Sequence, residues 1–250
     1  TLAKQFPKSA LRPEILYSAA LSASIIGRLD DTQKYGETFL AEFPNHELKP
    51  RVEELMIEGM FWASRYEDAL RIAQGVRPKV ADGSPGAELC DFVIGGSLYF
   101  LGRYSTAEPV LAKFNETFPK SKHREMARFY MADNLARLNK FTEAGTQLDE
   151  FLKDYPESGV LDLALYSRAN AHYNLDQQDA AIGRLNQFVS KRPYSTIRDQ
   201  ANNLFGNVFE SQQKPDEAEK SYRKAKEIAE AAGNEPVAAE SIVFLMGLLV

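Results

Sequence analysis

The sequence is poor in the residues that most often carry chemistry or cross-links. It has one cysteine, Cys90, and three histidines among 250 residues. A single cysteine cannot form an intramolecular disulfide, so a disulfide-stapled fold is excluded. The formal net charge of −5 comes from 30 basic and 35 acidic residues. This small acidic excess lacks the concentrated positive charge by which proteins bind nucleic acid or anionic lipid, so neither is an expected partner.

Long apolar segments are also missing. The longest apolar run, residues 242–250, has nine residues, whereas a helix needs about 20 to cross a bilayer. No membrane-spanning segment is therefore expected. The chain begins at Thr1 without an initiator methionine or the apolar core of a signal peptide, which predicts a processed or excised chain and leaves its compartment open.

What the sequence contains instead is an internal repeat of 37 residues. Prolines preceded by an aromatic or arginine residue recur in one phase. A small residue recurs with the same spacing, and five positions before it stands a residue that is polar or favours turns. The prolines are Pro7, Pro44, Pro119, Pro156 and Pro193, the small residues are Thr32, Ala69, Ala107, Ala144, Ala181 and Ala218, and the turn residues are Gly27, Ser64, Gly102, Asn139, Asp176 and Gln213.

Each repeat is predicted to form two antiparallel helices, A and B, because its apolar residues recur at helical spacing and strand-like alternation is missing. Proline after helix B stops that helix, and the serine two residues later, such as Ser121 or Ser158, is expected to cap the next helix A. The sixth repeat is four residues longer than most, about one helical turn, which predicts a longer helix B before Gly233. The expected repeats are 13–49, 50–87, 88–124, 125–161, 162–198 and 199–239.

The order of small residue, aromatic residue and proline, following Gly95-x-x-Leu98, resembles the tetratricopeptide repeat. The usual period is about 34 residues, and the additional residues lie in the Pro-x-Ser connection. This longer form is similar to the repeats of bacterial envelope proteins of the TolA-binding and outer-membrane assembly lipoprotein type. The aromatic residues, expected to wedge between neighbouring repeats, are Phe39, Phe114, Phe151 and Phe188.

The resemblance implies a fold and a location. The fold is an all-α, right-handed superhelical α-solenoid of antiparallel helix pairs that forms a single domain over residues 1–250. The location implied by the envelope proteins is the periplasm or cell envelope, and the cytoplasm is the alternative.

In this family the A helices line a concave groove, so the resemblance implies that one face of each A helix contacts a ligand. Asn170 and Asn207 match positions where family members use asparagine to hydrogen-bond a peptide backbone, and an amide both donates and accepts. The alternative interpretation is that these residues are only solvated groove positions. Paired cations are missing from the groove, so clamping of a carboxylate is not expected. The candidate groove residues are Asp133, Arg137, Tyr166, Asn170, Tyr173, Asn174, Asn203 and Asn207.

One segment of the second repeat departs from the pattern. Gly75 and Pro78 are predicted to end helix B early and to begin a loop of about ten residues. The loop is either a binding loop or hinge, or a tolerated insertion. Its candidate residues are Gly75, Pro78, Gly83 and Pro85.

The residues outside the six repeats, 12 before and 11 after, are expected to belong to incomplete repeats, namely the tail of a helix B and a seventh helix A. The final segment is apolar almost all round from Ser241 to Val250, whereas terminal repeats normally present a polar outer face. It is expected to contact either a further helix B of a longer chain or another subunit.

No pattern typical of catalysis or of a cofactor is present. The phosphate-binding motif Gly-x-x-x-x-Gly-Lys-Ser/Thr is missing. His46, His123 and His172 fall in different repeats without a second ligand at metal spacing, and His172 is expected to be packed inward. Cys90 is expected to be a buried structural cysteine. We therefore predict no catalytic residue, no metal ligand and no cofactor.

These observations favour a non-enzymatic scaffold that binds another protein, or an extended peptide, in the groove formed by its A helices. The alternative is a structural arm of a larger envelope assembly that packs through its ends and edges, for which the apolar C-terminal segment is the supporting feature. In both cases the expected partner is a protein or peptide.

Overall fold

The computed structural model describes residues 9–248, which contain 13 α-helices, one short 3₁₀ turn and no strand. The expected tail of a helix B in the first residues lies mostly at positions 1–8, outside the described residues. None of the described helices combines the length and the apolar character needed to cross a membrane. The helices are α1 (Arg12–Ile25), α2 (Leu29–Glu42), α3 (Lys49–Trp62), α4 (Tyr66–Val76), α5 (Pro85–Phe100), α6 (Tyr104–Thr117), α7 (Arg124–Arg137), α8 (Phe141–Asp154), α9 (Leu161–Asn174), α10 (Gln178–Lys191), α11 (Arg198–Ser211), α12 (Pro215–Ala232) and α13 (Glu235–Gly247).

The chain divides into two compact units, Thr1–Met131 and Ala132–Val250, with the boundary inside α7. In the first unit α1, α3 and α5 are A helices; each packs on the helix B that follows it, and α3 also packs on both α1 and α5. In the second unit α9 and α11 pack in the same way on α10 and α12, and α11 also packs on α13. That the two units form one continuous solenoid stays a prediction.

The turn from each helix A to its helix B is built around one residue with positive φ. At the first turn Gly27 has a φ of 72°, and its N–H donates to the carbonyl of Ser24 at 3.1 Å. The next N–H, of Arg28, donates to the carbonyl of Ala23 at 2.8 Å. This pair of bonds is the Schellman motif, which satisfies the last carbonyls of a helix. The same positive φ occurs at all six turn residues that the sequence singled out: Gly27, Ser64, Gly102, Asn139, Asp176 and Gln213.

The small residue that follows each turn is completely buried, and so is the aromatic residue seven positions later. Both expectations are confirmed at every predicted position, since each of these side chains has 0% exposure. A small side chain lets helix B approach helix A closely, and the aromatic ring then fills the space towards the next repeat. The ten residues are Thr32, Ala69, Ala107, Ala144, Ala181 and Ala218, with Phe39, Phe114, Phe151 and Phe188.

The serine after the proline does not cap the next helix, and this expectation was wrong. Ser121 Oγ accepts from the N–H of His123 at 2.9 Å, while α7 begins at Arg124. The first N–H of that helix, of Arg124, donates to the carbonyl of Ser121 at 3.2 Å. The serine therefore stabilises a separate turn between the two helices, because its hydroxyl bonds two residues ahead and cannot reach the helix itself.

The predicted early end of helix B in the second repeat is confirmed, since α4 has 11 residues where α2 and α6 have 14. The expected loop of about ten residues needs correction, because the connection spans residues 77–84 and begins with a 3₁₀ turn. Helix α4 continues through Gly75 to Val76, and the 3₁₀ turn Arg77–Lys79 then contains Pro78. Pro85 is the first residue of α5 rather than part of a loop. Proline suits this position because the first turn of a helix has no intrahelical use for its N–H.

The short connection that remains is held at both ends. Ser84 caps α5 by accepting from the N–H of Ala87 at 3.2 Å, and Gly83 before it has a φ of 75°. Arg77 Nε donates to Asp91 Oδ1 at 2.6 Å, which ties the 3₁₀ turn to α5. These contacts give the connection a defined conformation, and its role as a binding loop or hinge stays a prediction.

The longer helix B expected in the sixth repeat is confirmed, but the repeat itself is not longer, because α11 and α13 start 37 residues apart. Helix α12 has 18 residues where α8 and α10 have 14, and it ends at Gly233, which has a φ of 70°. The connection to α13 is correspondingly short, so α13 begins at Glu235, five residues before the position expected from the repeat bounds.

Replacing Gln213 by glycine is expected to stabilise the chain. Gln213 has a φ of 58°, a conformation that costs an L residue roughly 1–2 kcal/mol and glycine nothing. Part of this gain is lost because glycine is freer in the unfolded chain. We expect the free energy of unfolding to rise by about 0.5–1 kcal/mol, measured by urea denaturation. The neighbouring Gln212→Gly, at a φ of −84°, is the matched control and should destabilise; equal effects of the two changes would contradict this account.

Candidate functional site

The eight candidate groove residues all lie in the second unit, on the A helices α7, α9 and α11. Asp133, Asn170 and Asn207 occupy the same position in their helices, nine residues after the first residue of each. Helices α9 and α11 pack side by side, so Asn170 and Asn207 stand on neighbouring helices. We call the following residues the polar strip: Asp133, Arg137, Tyr166, Asn170, Tyr173, Asn174, Asn203 and Asn207.

The polar strip contains an ion pair at its α7 end. Arg137 Nε lies 3.1 Å from Asp133 Oδ2, one helical turn away. The Asp133 side chain is 8% exposed and that of Arg137 is 55% exposed. The carboxylate is therefore covered, whereas the guanidinium reaches solvent.

The two tyrosines of the strip are half-buried against the apolar core. Tyr166 and Tyr173 both pack on the cluster that includes Leu165 and Leu204. Burial raises the pKa of Tyr166, which Glu240 and Asp133 also raise and the charge of Arg137 lowers. The phenol is therefore protonated at neutral pH and can donate one hydrogen bond.

Two of the four asparagines are occupied by neighbouring groups. Asn203 is 4% exposed; its Nδ2 donates to Glu240 Oε2 at 3.2 Å, and its Oδ1 accepts from Ser241 Oγ at 2.8 Å. It therefore joins α11 to α13. Asn174 Nδ2 donates to the carbonyl of Asn170 at 2.8 Å and lies 3.1 Å from Asn170 Oδ1.

Asn207 is oriented by a tyrosine that the sequence analysis did not single out. The Tyr222 hydroxyl lies 2.8 Å from Asn207 Oδ1 and 2.8 Å from Glu210 Oε2. Burial, and then the hydrogen bond to Glu210, raise the pKa of Tyr222, so it stays a donor. The hydroxyl has one hydrogen to share between these two oxygens; it keeps the Asn207 amide beside Tyr222, and the Asn207 NH₂ group donates to no other described residue.

Tyr222 replaces the aromatic wedge of the earlier repeats. Its side chain is fully buried, and Ala225 stands where the previous repeat has Phe188. Helix α11 makes room with Gly206, since a Cβ at that position would overlap the Tyr222 ring. The sequence contained a signal for this replacement. Helix A has a glycine, Gly206, and the aromatic residue of helix B, Tyr222, stands three positions before the usual position of the wedge.

The residues for which no chemistry was predicted are packed or paired. His172 is 8% exposed, and its Nδ1 lies 2.7 Å from Gln177 Oε1. Cys90 is 1% exposed, and burial raises the pKa of its thiol to about 11, so the unreactive thiol form predominates at neutral pH. Within residues 9–248 no three His, Cys, Asp or Glu residues are grouped closely enough to hold a metal ion.

A family model described as a tetratricopeptide repeat-like domain matches residues 102–240, more than half of the chain. The chain belongs to this family. The tetratricopeptide repeat-like fold generally mediates protein–protein interaction and is typically a non-catalytic scaffold.

Solved structures agree with this fold. A tetratricopeptide repeat protein from Parabacteroides merdae is similar over 98% of this chain and 88% of its own, with a TM-score of 0.61 and 15% identity. MamA from Desulfovibrio magneticus RS-1, from residue 41 to its end, matches 73% of this chain and 96% of its own, with a TM-score of 0.59 and 17% identity. A chain of the APC/C hetero-tetramer Cut9–Hcn1 is similar over 100% of this chain and 44% of its own, with a TM-score of 0.67 and 13% identity. No curated protein sequence matches. The predicted all-α, tetratricopeptide-like solenoid class is thereby confirmed.

Gly206→Ala is expected to destabilise the tetratricopeptide repeat-like chain by about 1–3 kcal/mol, because the added methyl group collides with the Tyr222 ring. The same change should cost at least about 1 kcal/mol less in a Tyr222→Leu background. The preceding repeat already has alanine and leucine at the two equivalent positions of its core, Ala169 and Leu185. A double-mutant cycle of unfolding free energies measures the coupling, and additive effects would refute the contact.

Proposed function

We propose that the chain is a non-enzymatic scaffold that binds an extended protein segment along the polar strip. The observation that carries the proposal is the pair Asn170 and Asn207, which stand at equivalent positions of the neighbouring helices α9 and α11. A regular row of amide groups suits a ligand whose own polar groups are regular, and a polypeptide backbone is such a ligand.

The spacing of the helices supports an extended ligand. Packed helices lie about 8–10 Å apart, and an extended chain advances roughly 3.3 Å per residue. Amides on successive A helices therefore meet the backbone of an extended segment about every third residue. The NH₂ group of Asn207 then donates to a backbone carbonyl, and the contact with Tyr222 keeps the amide in place.

The composition of the strip supports recognition of a protein rather than a small ion. Tyr166 and Tyr173 offer rigid, partly apolar surface beside the amides, a combination enriched at protein interfaces. Arg137 adds an exposed cation, but its partner Asp133 balances the charge. The strip is therefore suited to hydrogen bonding and aromatic packing more than to binding a strongly charged segment.

Substituting Asn170 and Asn207 together by alanine is expected to weaken binding at least tenfold. Each lost hydrogen bond is worth about 1 kcal/mol, and 1.4 kcal/mol is a factor of about ten in Kd. The probe is a set of 12-residue peptides selected from a displayed library on the unaltered chain, with Kd measured by fluorescence anisotropy.

The matched control for this experiment is Asn186→Ala, which removes an exposed asparagine from the B helix α10. It should leave Kd unchanged, and thermal unfolding should show that every variant is folded. Equal affinities for the double variant and the unaltered chain would reject the polar strip as the binding surface.

The second candidate function is a structural arm of an assembly, and the surface of α13 favours it. The A helices share one equivalent position whose residue is buried in each helix before α13. In α13 this residue is Val243, which is 65% exposed, and nearby Met246 is 63% exposed. In α11 the equivalent residue, Gly206, faces helix B. The buried residues of this row are Ala20, Ile57, Gly95, Ala132, Ala169 and Gly206.

If α13 packs against another subunit, Val243→Lys combined with Met246→Lys should abolish self-association. Burying charge in an apolar interface is strongly unfavourable. Sedimentation velocity at roughly 100 µM protein, well above the micromolar range of a typical weak complex, should detect an oligomer of the unaltered chain and a monomer of the double variant. Val189→Lys, at an exposed apolar position on α10, is the control. A monomeric unaltered chain at this concentration would contradict self-assembly through α13.

A location in the bacterial envelope stays part of this proposal. It is supported by the 37-residue spacing between the starts of α7, α9, α11 and α13, the period of the envelope-type repeats that the sequence resembles. A scaffold of either kind, groove-binding or end-packing, is compatible with that location.

A further inference from the structure

A pocket of the first unit carries charge that the polar strip does not use. It has a volume of about 360 Å³ and lies between α3, α5 and the turn before α7. Its polar lining consists of Glu54, Glu58, Glu88, Lys122 and His123. We call this the acidic pocket.

The acidic pocket has an excess of negative charge. Lys122 Nζ lies 3.2 Å from Glu58 Oε1, but the lysine side chain is 72% exposed. An ion pair this exposed is weak and readily exchanged. Neither Glu54 nor Glu88 forms a salt bridge with any residue between positions 9 and 248. Three carboxylates therefore face one loosely held ammonium group, and the pocket attracts a further cation.

His123 provides an independent sign that the pocket takes a ligand. Its side chain lines the pocket although the residue is only 8% exposed. The imidazole stacks on Phe92 with the ring centroids 4.2 Å apart, which fixes its plane. Its ring nitrogens hydrogen-bond to no residue in the described part of the chain. Burial, and then the charge of Lys122, lower the pKa of His123, so the ring is neutral and keeps one donor and one acceptor for a ligand.

An exposed tryptophan adjoins the acidic pocket. Trp62 is 56% exposed and follows Glu58 by one helical turn, so the two side chains lie on the same face of α3. Glu58 also lines the neighbouring depression that Trp62 borders. The indole packs edge-on against Phe61 with the centroids 5.0 Å apart. The face of an exposed indole attracts lysine and arginine side chains.

The carboxylates are not arranged for a metal ion. Among the described residues no group of three or more acidic, histidine or cysteine side chains is close enough to share one. A larger cation that reaches several separate carboxylates fits better, and the ammonium of lysine or the guanidinium of arginine is such a group. Because the chain is proposed to bind protein segments, the cation is carried by a polypeptide.

We propose that the first unit binds a basic peptide segment, with one lysine or arginine side chain in the acidic pocket and a second over Trp62. This inference rests on the proposed function as a protein-binding scaffold, and it names a second surface and its partner chemistry. Glu58 of the pocket and Trp62 lie one helical turn apart along α3, about 5.4 Å, and two basic residues on the same face of an extended segment, roughly 6.6 Å apart, can reach both.

The single tryptophan makes the test direct, because all indole fluorescence of the chain comes from Trp62. The probe is a blocked 12-residue peptide with four lysine and arginine residues spaced by alanine and serine. We expect a saturable change in Trp62 emission, with Kd below about 100 µM. The same peptide with glutamate in place of each basic residue should cause none.

Two charge-matched variants locate the binding. Glu54→Gln combined with Glu58→Gln should raise Kd at least tenfold. Glu37→Gln combined with Glu116→Gln removes the same charge from the exposed faces of B helices and should leave Kd within about twofold. His123→Phe keeps the stacked ring, removes both nitrogens and should weaken binding by about threefold.

The outcomes that overturn the proposal are distinct from those that reject the polar strip. No saturable emission change up to about 1 mM peptide, or equal weakening by the two charge-matched variants, would reject the acidic pocket. Displacement of the basic peptide by Mg²⁺ or Ca²⁺ to the same extent from the unaltered chain and from the Glu54→Gln, Glu58→Gln variant would also reject the acidic pocket. The Asn170→Ala, Asn207→Ala chain should bind the basic peptide normally. Rejection of the polar strip as a binding surface therefore leaves the test of the acidic pocket valid, and the reverse also holds.

Discussion

Each pair of helices in this chain depends on a single backbone residue held in the left-handed region. At that residue the last N–H groups of the turn bond back to carbonyls of helix A, which ends the helix and reverses the chain within three residues. Glycine pays no steric cost there, whereas Ser64 and Gln213 do. The chain nevertheless keeps the geometry, because the buried small residue five positions later can reach helix A only if the turn is this tight.

The same constraint decides which surfaces are available for binding. With helix B fixed against one side of helix A and the neighbouring A helices against others, one face of each A helix remains open. In the second unit that face carries Asn170 and Asn207, and in the first it carries Glu54 and Glu58. Two units of one repeat architecture can therefore offer chemically different surfaces, one with amides and tyrosines and the other with carboxylates and an exposed indole.

Much of the fold could be predicted because it rests on local residue properties repeated at a fixed interval. Turn residues, small residues and aromatic wedges each carry their own signal, with six copies of the first two and four of the third. The errors arose where a residue has two uses. Serine can bond within a turn as well as cap a helix, and Gly75 is tolerated near the end of a helix that continues into a 3₁₀ turn.

The site was less predictable because its geometry depends on partners distant in sequence. Asn203 matches a groove position, but Ser241 and Glu240 of α13 occupy its amide. Phe92, at the position of α5 that is equivalent to Tyr166 in α9, is fully buried under neighbouring rings. A repeat pattern specifies which helix face a residue shares, and only the packing of adjacent helices determines whether its side chain remains open.

Partners are proposed to bind the open faces of the A helices in both units. Amide hydrogen exchange, measured by mass spectrometry with and without saturating bound peptide, tests this claim most directly. The account predicts slower exchange in A helices, namely α3 and α5 for a basic peptide or α9 and α11 for a peptide bound along the polar strip. Exchange in the B helices α6 and α10 should be unchanged. Protection confined to the B helices, with none in the A helices, would contradict it.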